Sequence, residues 1–306
     1  MGQVAEVIKL GRFPFLGAGL ILYAAGGLLA GVQTGQFSIE RFIMGYAIVM
    51  PAHLSVSYSN DYYDFENDNP DAVTSYTGGS GVLQRHPELR GFARNFAVTL
   101  IMLSVSISVL YASVYGNAIV VLLAVLGNLL GWFYSAPPIK LSYRGLGEIA
   151  TSLTGFIFPG MGYAVISGGL DTSLLLFSIS LMLLQMVFIV NVEIPDLRED
   201  LEGGKRTLPV RIGVDGSRRI MVLSASAATL LFGLLEFSPR FAESINFLIM
   251  ALLSLMVTVP CLHAFLSGSD TRDDIVRKSE IVMNSLVAFG ILNTLYLISI
   301  MAGVIQ

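Results

Sequence analysis

Long apolar runs alternate with short polar breaks along the whole chain, and the runs are too uniform to be one face of a water-soluble amphipathic helix. About 20 apolar residues in a helix cross roughly 30 Å of hydrocarbon. On that measure the pattern predicts nine spans, over 13–32, 42–58, 96–115, 118–134, 149–166, 174–192, 220–235, 245–265 and 281–305. Only Gly116 and Asn117 separate the third span from the fourth, which predicts a tight helical hairpin. The other breaks are also too short to fold by themselves, so the expected architecture is one all-α membrane domain over 1–306.

Composition agrees with the pattern. Of 306 residues, 54% are hydrophobic and 13% charged, and the mean hydropathy is +0.71, values of the membrane class. The first run follows Lys9 and Arg12 as a secretory signal would, but its length argues for a retained span. A single cysteine, Cys261, leaves no partner for an intramolecular disulfide.

Charge gives the expected orientation. If the nine spans alternate, 16 of the 18 Lys and Arg residues fall on one side, and only Arg41 and Arg240 fall opposite. The positive-inside rule makes the rich side cytoplasmic. The expectation is therefore a multi-pass protein of the cell membrane with its N-terminus inside and its C-terminus outside. No nucleic-acid partner is expected.

Candidate chemistry gathers in two breaks on that cytoplasmic side. After the second span stands Asn60-Asp61-Tyr62-Tyr63-Asp64-Phe65-Glu66-Asn67-Asp68, and after the sixth stands Glu193-Ile194-Pro195-Asp196-Leu197-Arg198-Glu199-Asp200. A helix continuing past the second span would stack Asn60, Asp64 and Asp68 along one face, and Asp196 and Asp200 repeat the same step of four. Carboxylates held this close repel one another unless a cation lies between them. Mg2+ takes oxygen ligands and commonly bridges carboxylates to substrate phosphates, so two facing ladders could hold a pyrophosphate through two or more ions. Each ladder follows the second helix of a four-helix block, which suggests two related halves of four helices plus a ninth around a central cavity.

The first ladder resembles the NDxxDxxxD motif of the UbiA superfamily of intramembrane prenyltransferases at every fixed position, and the second resembles that family's DxxxD motif. Two further stretches, 134–148 and 203–208, are similar to the branch that prenylates dihydroxynaphthoate in menaquinone biosynthesis. The resemblance implies transfer of a polyprenyl group from a diphosphate, such as geranylgeranyl diphosphate, to an aromatic acceptor. A hydroxybenzoate, a geranylgeranylglyceryl phosphate or a tetrapyrrole stays open beside dihydroxynaphthoate. It further implies metal ligation by Asn60, Asp61, Asp64, Asp68, Glu193, Asp196 and Asp200, with Asn191 or Glu193 in the place of an asparagine that relatives carry.

Lys140 is expected to assist at the reacting centre with Asn60 and the aspartates, and Lys205, Arg206 and Arg211 to contact phosphates beside Asp61. Tyr62 and Tyr134 could face an allylic cation or simply anchor at the interface. The family's basic residue near the first motif is missing from 72–83, where Thr77-Gly78-Gly79-Ser80-Gly81 could offer backbone amides instead. His53 and His263 read as packing residues, and Gln185 and Asn191 as either acceptor-pocket or interhelical groups. A cation-coupled secondary transporter is the rival from another class. Such proteins place acids near the midplane, whereas here they cluster at span ends.

Overall fold

The structure, a computed structural model, describes residues 3–67, 79–241, 244–268 and 271–304. Among them the chain is helical throughout, without strands. In order the helices are α1 (Gln3–Leu10), α2 (Pro14–Thr34), α3 (Ile39–Asp64), α4 (Val82–Arg85), α5 (Arg90–Tyr115), α6 (Ile119–Ser135), α7 (Gly147–Ser167), α8 (Thr172–Glu193), α9 (Leu197–Glu202), α10 (Leu208–Leu235), α11 (Phe247–Leu266) and α12 (Arg272–Met301).

Seven helices among the described residues are long and apolar enough to cross a membrane: α2, α7, α8, α10, α11, α12 and the stretch Pro87–Tyr115 that contains α5. The predicted segments 42–58 and 118–134 fall on α3 and α6. α3 has 26 residues but carries Pro51, His53 and the polar run that ends at Asp64, and α6 has 17 residues. Large apolar side chains of α5, α10 and α11, among them Leu103, Leu110, Leu230 and Leu252, point outward. In water that surface would be costly, and against lipid it costs nothing.

Helix packing follows the small residues. α2 lies against α7, α7 against α8, α8 against α10, and α3 against α5. A β-carbon on Gly26 would lie 1.9 Å from the Pro159 carbonyl oxygen, and one on Gly162 would lie 2.0 Å from that of Tyr23. Backbones that close require glycine at each point of contact, the small-residue packing of membrane helices. Segment ends are stopped locally: the Asp171 carboxylate accepts from the Ser173 and Leu174 amides to start α8, and Gly213, at φ 74°, breaks α10 after its first turns.

The expected ladder of the first acidic segment needs one correction. The helix does not run on through 68 but ends at Asp64, so Asn60 and Asp64 share its last turns. Asp68, with Thr77 and Gly78, lies outside the described residues.

Candidate active site

The helices enclose a cavity of about 340 Å³. Its body is apolar, walled by Phe15 and Leu22 of α2, Val49 and Val56 of α3, Leu123 of α6 and Phe158 of α7, among others. One end is polar. There the last turns of α3 bring Asn60, Asp61 and Asp64 to face Glu193 at the end of α8 and Asp196, Glu199 and Asp200 around α9. A separation of 132 positions between Asp64 and Asp196 is thus closed by the fold.

Lys205 spans the two segments. Its Nζ lies 3.3 Å from Asp64 Oδ2 and 3.3 Å from Asp200 Oδ1, so those carboxylates stand within twice that distance of each other. Asp64 is held from three directions: Ser135 donates to Oδ2 at 3.0 Å, Tyr143 donates its phenol to Oδ1 at 2.8 Å, and Lys205 completes the set. Asn67 in turn donates to the Tyr143 oxygen at 2.7 Å. Burial and then the charge on Asp64 raise the Tyr143 phenol above its ordinary range, so it stays a donor. On the second segment, Thr207 donates to Asp200 Oδ2 at 3.3 Å, and the Lys205 amide returns to the Asp200 carbonyl at 2.9 Å, closing a tight turn. Burial pushes the Asp200 carboxyl up, opposed by Lys205 and Thr207.

The donor chemistry suits a hard divalent cation. Asn60 Oδ1 is buried without a hydrogen-bond partner, a costly state for an amide oxygen that a cation would relieve. Asp64, Asp196 and Asp200 share the same polar end, and one ammonium already balances charge between two of them. No group of three or more acidic or histidine side chains already stands at metal-holding spacing among the described residues. A cation here would therefore draw on the amide and on phosphate or water oxygens as well.

The other expected residues divide between the cavity wall and its surroundings. Asp61 is buried at the cavity, but its carboxylate is tied to the Ser80 hydroxyl and, at 3.4 Å, to the Ser80 amide. That amide is consequently spent on Asp61, while Gly79 beside it does line the cavity. Lys140 does not line it; its ammonium sits 4.5 Å over the Tyr143 ring, one layer behind Asp64. Arg206 and Arg211 are exposed outside the lining, and Tyr62 turns away beneath Arg90 at 5.2 Å. Tyr134 does reach the cavity. Asn191 is a strut: its amide donates to the Ser279 carbonyl at 3.0 Å and its carbonyl accepts from the Ser279 hydroxyl at 3.1 Å, joining α8 to α12. Gln185 lines the cavity and donates to Thr154 at 2.9 Å.

Sequence reasoning passed over Arg12, Ser135, Tyr143 and Thr207 as site residues. Arg12 sits in the turn between α1 and α2 at φ 46°, with its guanidinium 4.6 Å over the Phe15 ring, and lines the cavity near Asp61. A backbone conformation so uncommon outside glycine is the local signal, and it is invisible before the fold is known.

A model of the UbiA prenyltransferase family matches residues 20–286. Over 181 residues the chain is 24% identical to the 1,4-dihydroxy-2-naphthoate octaprenyltransferase of Bacillus subtilis, covering 57% of this chain and 56% of that one. Over 145 residues it is 28% identical to the chloroplastic 2-carboxy-1,4-naphthoquinone phytyltransferase of Arabidopsis thaliana, covering 45% of this chain and 34% of that one. The match thus spans about half the length of the first relative and a third of the second. Among solved structures, a digeranylgeranylglyceryl phosphate synthase is similar over 96% of this chain and 99% of its own, with TM-score 0.65 at 18% identity. A UbiA homologue from Archaeoglobus fulgidus, solved with DMAPP and Mg2+, is similar over 94% and 99%, with TM-score 0.64 at 16% identity. At such identities the likeness speaks for the fold.

Proposed function

The chain belongs to the UbiA prenyltransferase family, and from that premise we propose that it transfers a polyprenyl group from an isoprenyl diphosphate to an aromatic acceptor at the polar end of the cavity. The observation that carries the reading is the meeting of Asp64 and Asp200 across one Lys205 ammonium, at the head of an apolar chamber. A diphosphate has the charge to take that place, and its hydrocarbon tail has the chemistry of the chamber below.

Mg2+ would be held by Asn60, Asp64, Asp196 and Asp200, with Asp68 a further donor expected from the motif. Bound there, it supplies neutralisation of the negative charge that develops on a departing diphosphate. The protein's own groups do the rest. Lys205 and Arg12 place positive charge at the mouth for the phosphates, and Tyr143 and Ser135 fix the aim of Asp64. Phe15, Phe158 and Phe188 help keep water from an allylic cation that would otherwise be quenched to an alcohol. Gln185 and Thr154, on the α7–α8 wall, offer polar contacts for a ring.

Dihydroxynaphthoate is the leading acceptor, because the named relatives act in naphthoate and naphthoquinone chemistry. In this reading all nine long helices among the described residues are spans, in two related groups of four plus α12. The N-terminus and the acidic mouth face the cytoplasm of a cell-membrane protein, and the C-terminus lies outside. The test is purified protein in detergent with Mg2+, geranylgeranyl diphosphate and a panel of naphthoate, benzoate, glyceryl phosphate and tetrapyrrole acceptors, with products read by mass spectrometry. A prenylated dihydroxynaphthoate is expected. Absence of any Mg2+-dependent prenylated product across the panel would sink the proposal.

A further inference from the structure

One acidic group at the mouth is left unused by metal and diphosphate. Glu193 is 5% exposed and lines the cavity, and its carboxyl oxygens receive no hydroxyl, ammonium or backbone donor, only the neighbouring Glu148 carboxyl standing against them. It also closes α8, where the helix carbonyl end opposes negative charge. A carboxyl group kept buried against another acid, without a donor of its own and at the wrong end of a helix, is costly, and its place in the wall calls for a ligand.

Its neighbours are already engaged. Glu148, on the first turn of α7, accepts the Leu208 amide at the start of α10. Asp200 is taken by Lys205 and Thr207. Glu148, Asp200, Lys205 and the Tyr134 ring are the titratable groups that face Glu193. Further along α8, Ile189 and Gln185 follow at steps of four on the same cavity wall, and Thr151 and Thr154 of α7 line it as well. That wall sets polar side chains among apolar ones, the chemistry of a hydroxylated ring rather than of a prenyl tail.

We infer that Glu193 receives the hydroxyl group of the aromatic acceptor and takes its proton as the ring attacks. The inference rests on the prenyl-transfer reading above and moves Glu193 from metal donor to acceptor base. In the step, the acceptor O–H breaks and the proton passes to the Glu193 carboxylate. The oxygen electron pair feeds the ring, a ring carbon bonds to the prenyl C1, and the C1–O electrons leave with the diphosphate. The proton on the substituted carbon then goes to the diphosphate, and Glu193 returns its own to the oxygen. Aromaticity is restored, and Glu193 ends as it began.

The test compares wild type with E193Q in detergent, using Mg2+, geranylgeranyl diphosphate and a series of naphthols of graded hydroxyl acidity. E193Q is expected to lower kcat by about 100-fold, within the range of general-base catalysis. The Mg2+ dependence and the affinity for the diphosphate should stay within about twofold of wild type. With electron-poor naphthols already ionised at the assay pH, the deficit should shrink to about tenfold or less. Recovery of E193Q at high Mg2+ would make Glu193 a metal donor and overturn the inference, as would an equal loss across the whole series. Should E193Q not insert, E193D keeps the carboxylate and must show a reduced kcat with a wild-type slope against acceptor acidity; a flat slope counts against the base. Wild type failing with every acceptor while still binding diphosphate would instead count against the parent reading.

Discussion

The two acidic segments meet at one mouth but are built differently. The first is the end of a continuous helix, and its carboxylates are fixed by neighbours: Asp61 by Ser80, Asp64 by Ser135, Tyr143 and Lys205. The second is a break. α8 stops at Glu193, Pro195 follows, and α9 starts afresh with Asp196 in its N-cap position. The break turns Glu193 to the α7–α8 wall and leaves Asp196 and Asp200 at the mouth. A step of four residues therefore serves one rigid arm and one divided arm, and on the proposed reading the division would let a single segment face both substrates.

The sharpest way to break this comparison is to neutralise one carboxylate from each arm. Asp64→Asn and Asp196→Asn should each reduce prenylated product by about 10³-fold, the scale of losing preorganised charge stabilisation. Yield from the membrane and elution on size exclusion should match wild type. If only one variant loses activity, the arms do not share a diphosphate, and the convergence has no catalytic meaning.

Lys205→Met tests what joins the arms. It leaves the Asp64 and Asp200 carboxylates facing without their shared ammonium. Activity should fall by about 10²-fold. Without Mg2+ its melting temperature should drop below wild type, and added Mg2+ should raise it by more than it raises wild type, because the cation then relieves repulsion that the lysine otherwise balances. An equal Mg2+ response in both proteins would contradict the shared cation site.

Tyr143→Phe probes the rigidity of the first arm alone. It removes one phenol donor from Asp64 and leaves the charge set intact. A hydrogen bond to a charged group contributes roughly 1.5–3 kcal/mol, so kcat/KM should fall by about tenfold or somewhat more. The same change on a freely mobile carboxylate would hardly register.

These contrasts also mark how far the sequence could be read. Asn60, Asp64, Asp196 and Asp200 were legible because spacing and sidedness are local, and all four line the polar end. The membrane class and helical architecture were legible because hydrocarbon sets the length of apolar runs. Ser135, Tyr143, Thr207 and Arg12 were not, since each enters the site from a separate segment whose direction is set by packing. Asp61 reads as a metal ligand by motif, yet it is engaged by Ser80, nineteen positions away. Gly26 and Gly162 could be read as packing residues, but the backbone each abuts, Pro159 for Gly26 and Tyr23 for Gly162, is a property of the fold.

The smallest effects should come from the cations that sequence placed at the phosphates and the structure places behind or outside the cavity. Lys140 reaches the site only through the Tyr143 ring at 4.5 Å, and Arg206 and Arg211 are exposed. A solvated charge at this remove acts through a screened field and contributes well under about 1 kcal/mol. Alanine at each of the three should therefore change kcat/KM by about threefold or less, and the difference should fade in about 0.5 M salt. A loss as large as that of Lys205→Met, persisting in salt, would mean that the mouth closes over the diphosphate and brings an outer cation into contact. Were that cation Lys140, it would have to leave the Tyr143 ring or carry it along, and since that ring aims Asp64 the first arm would be disturbed with it.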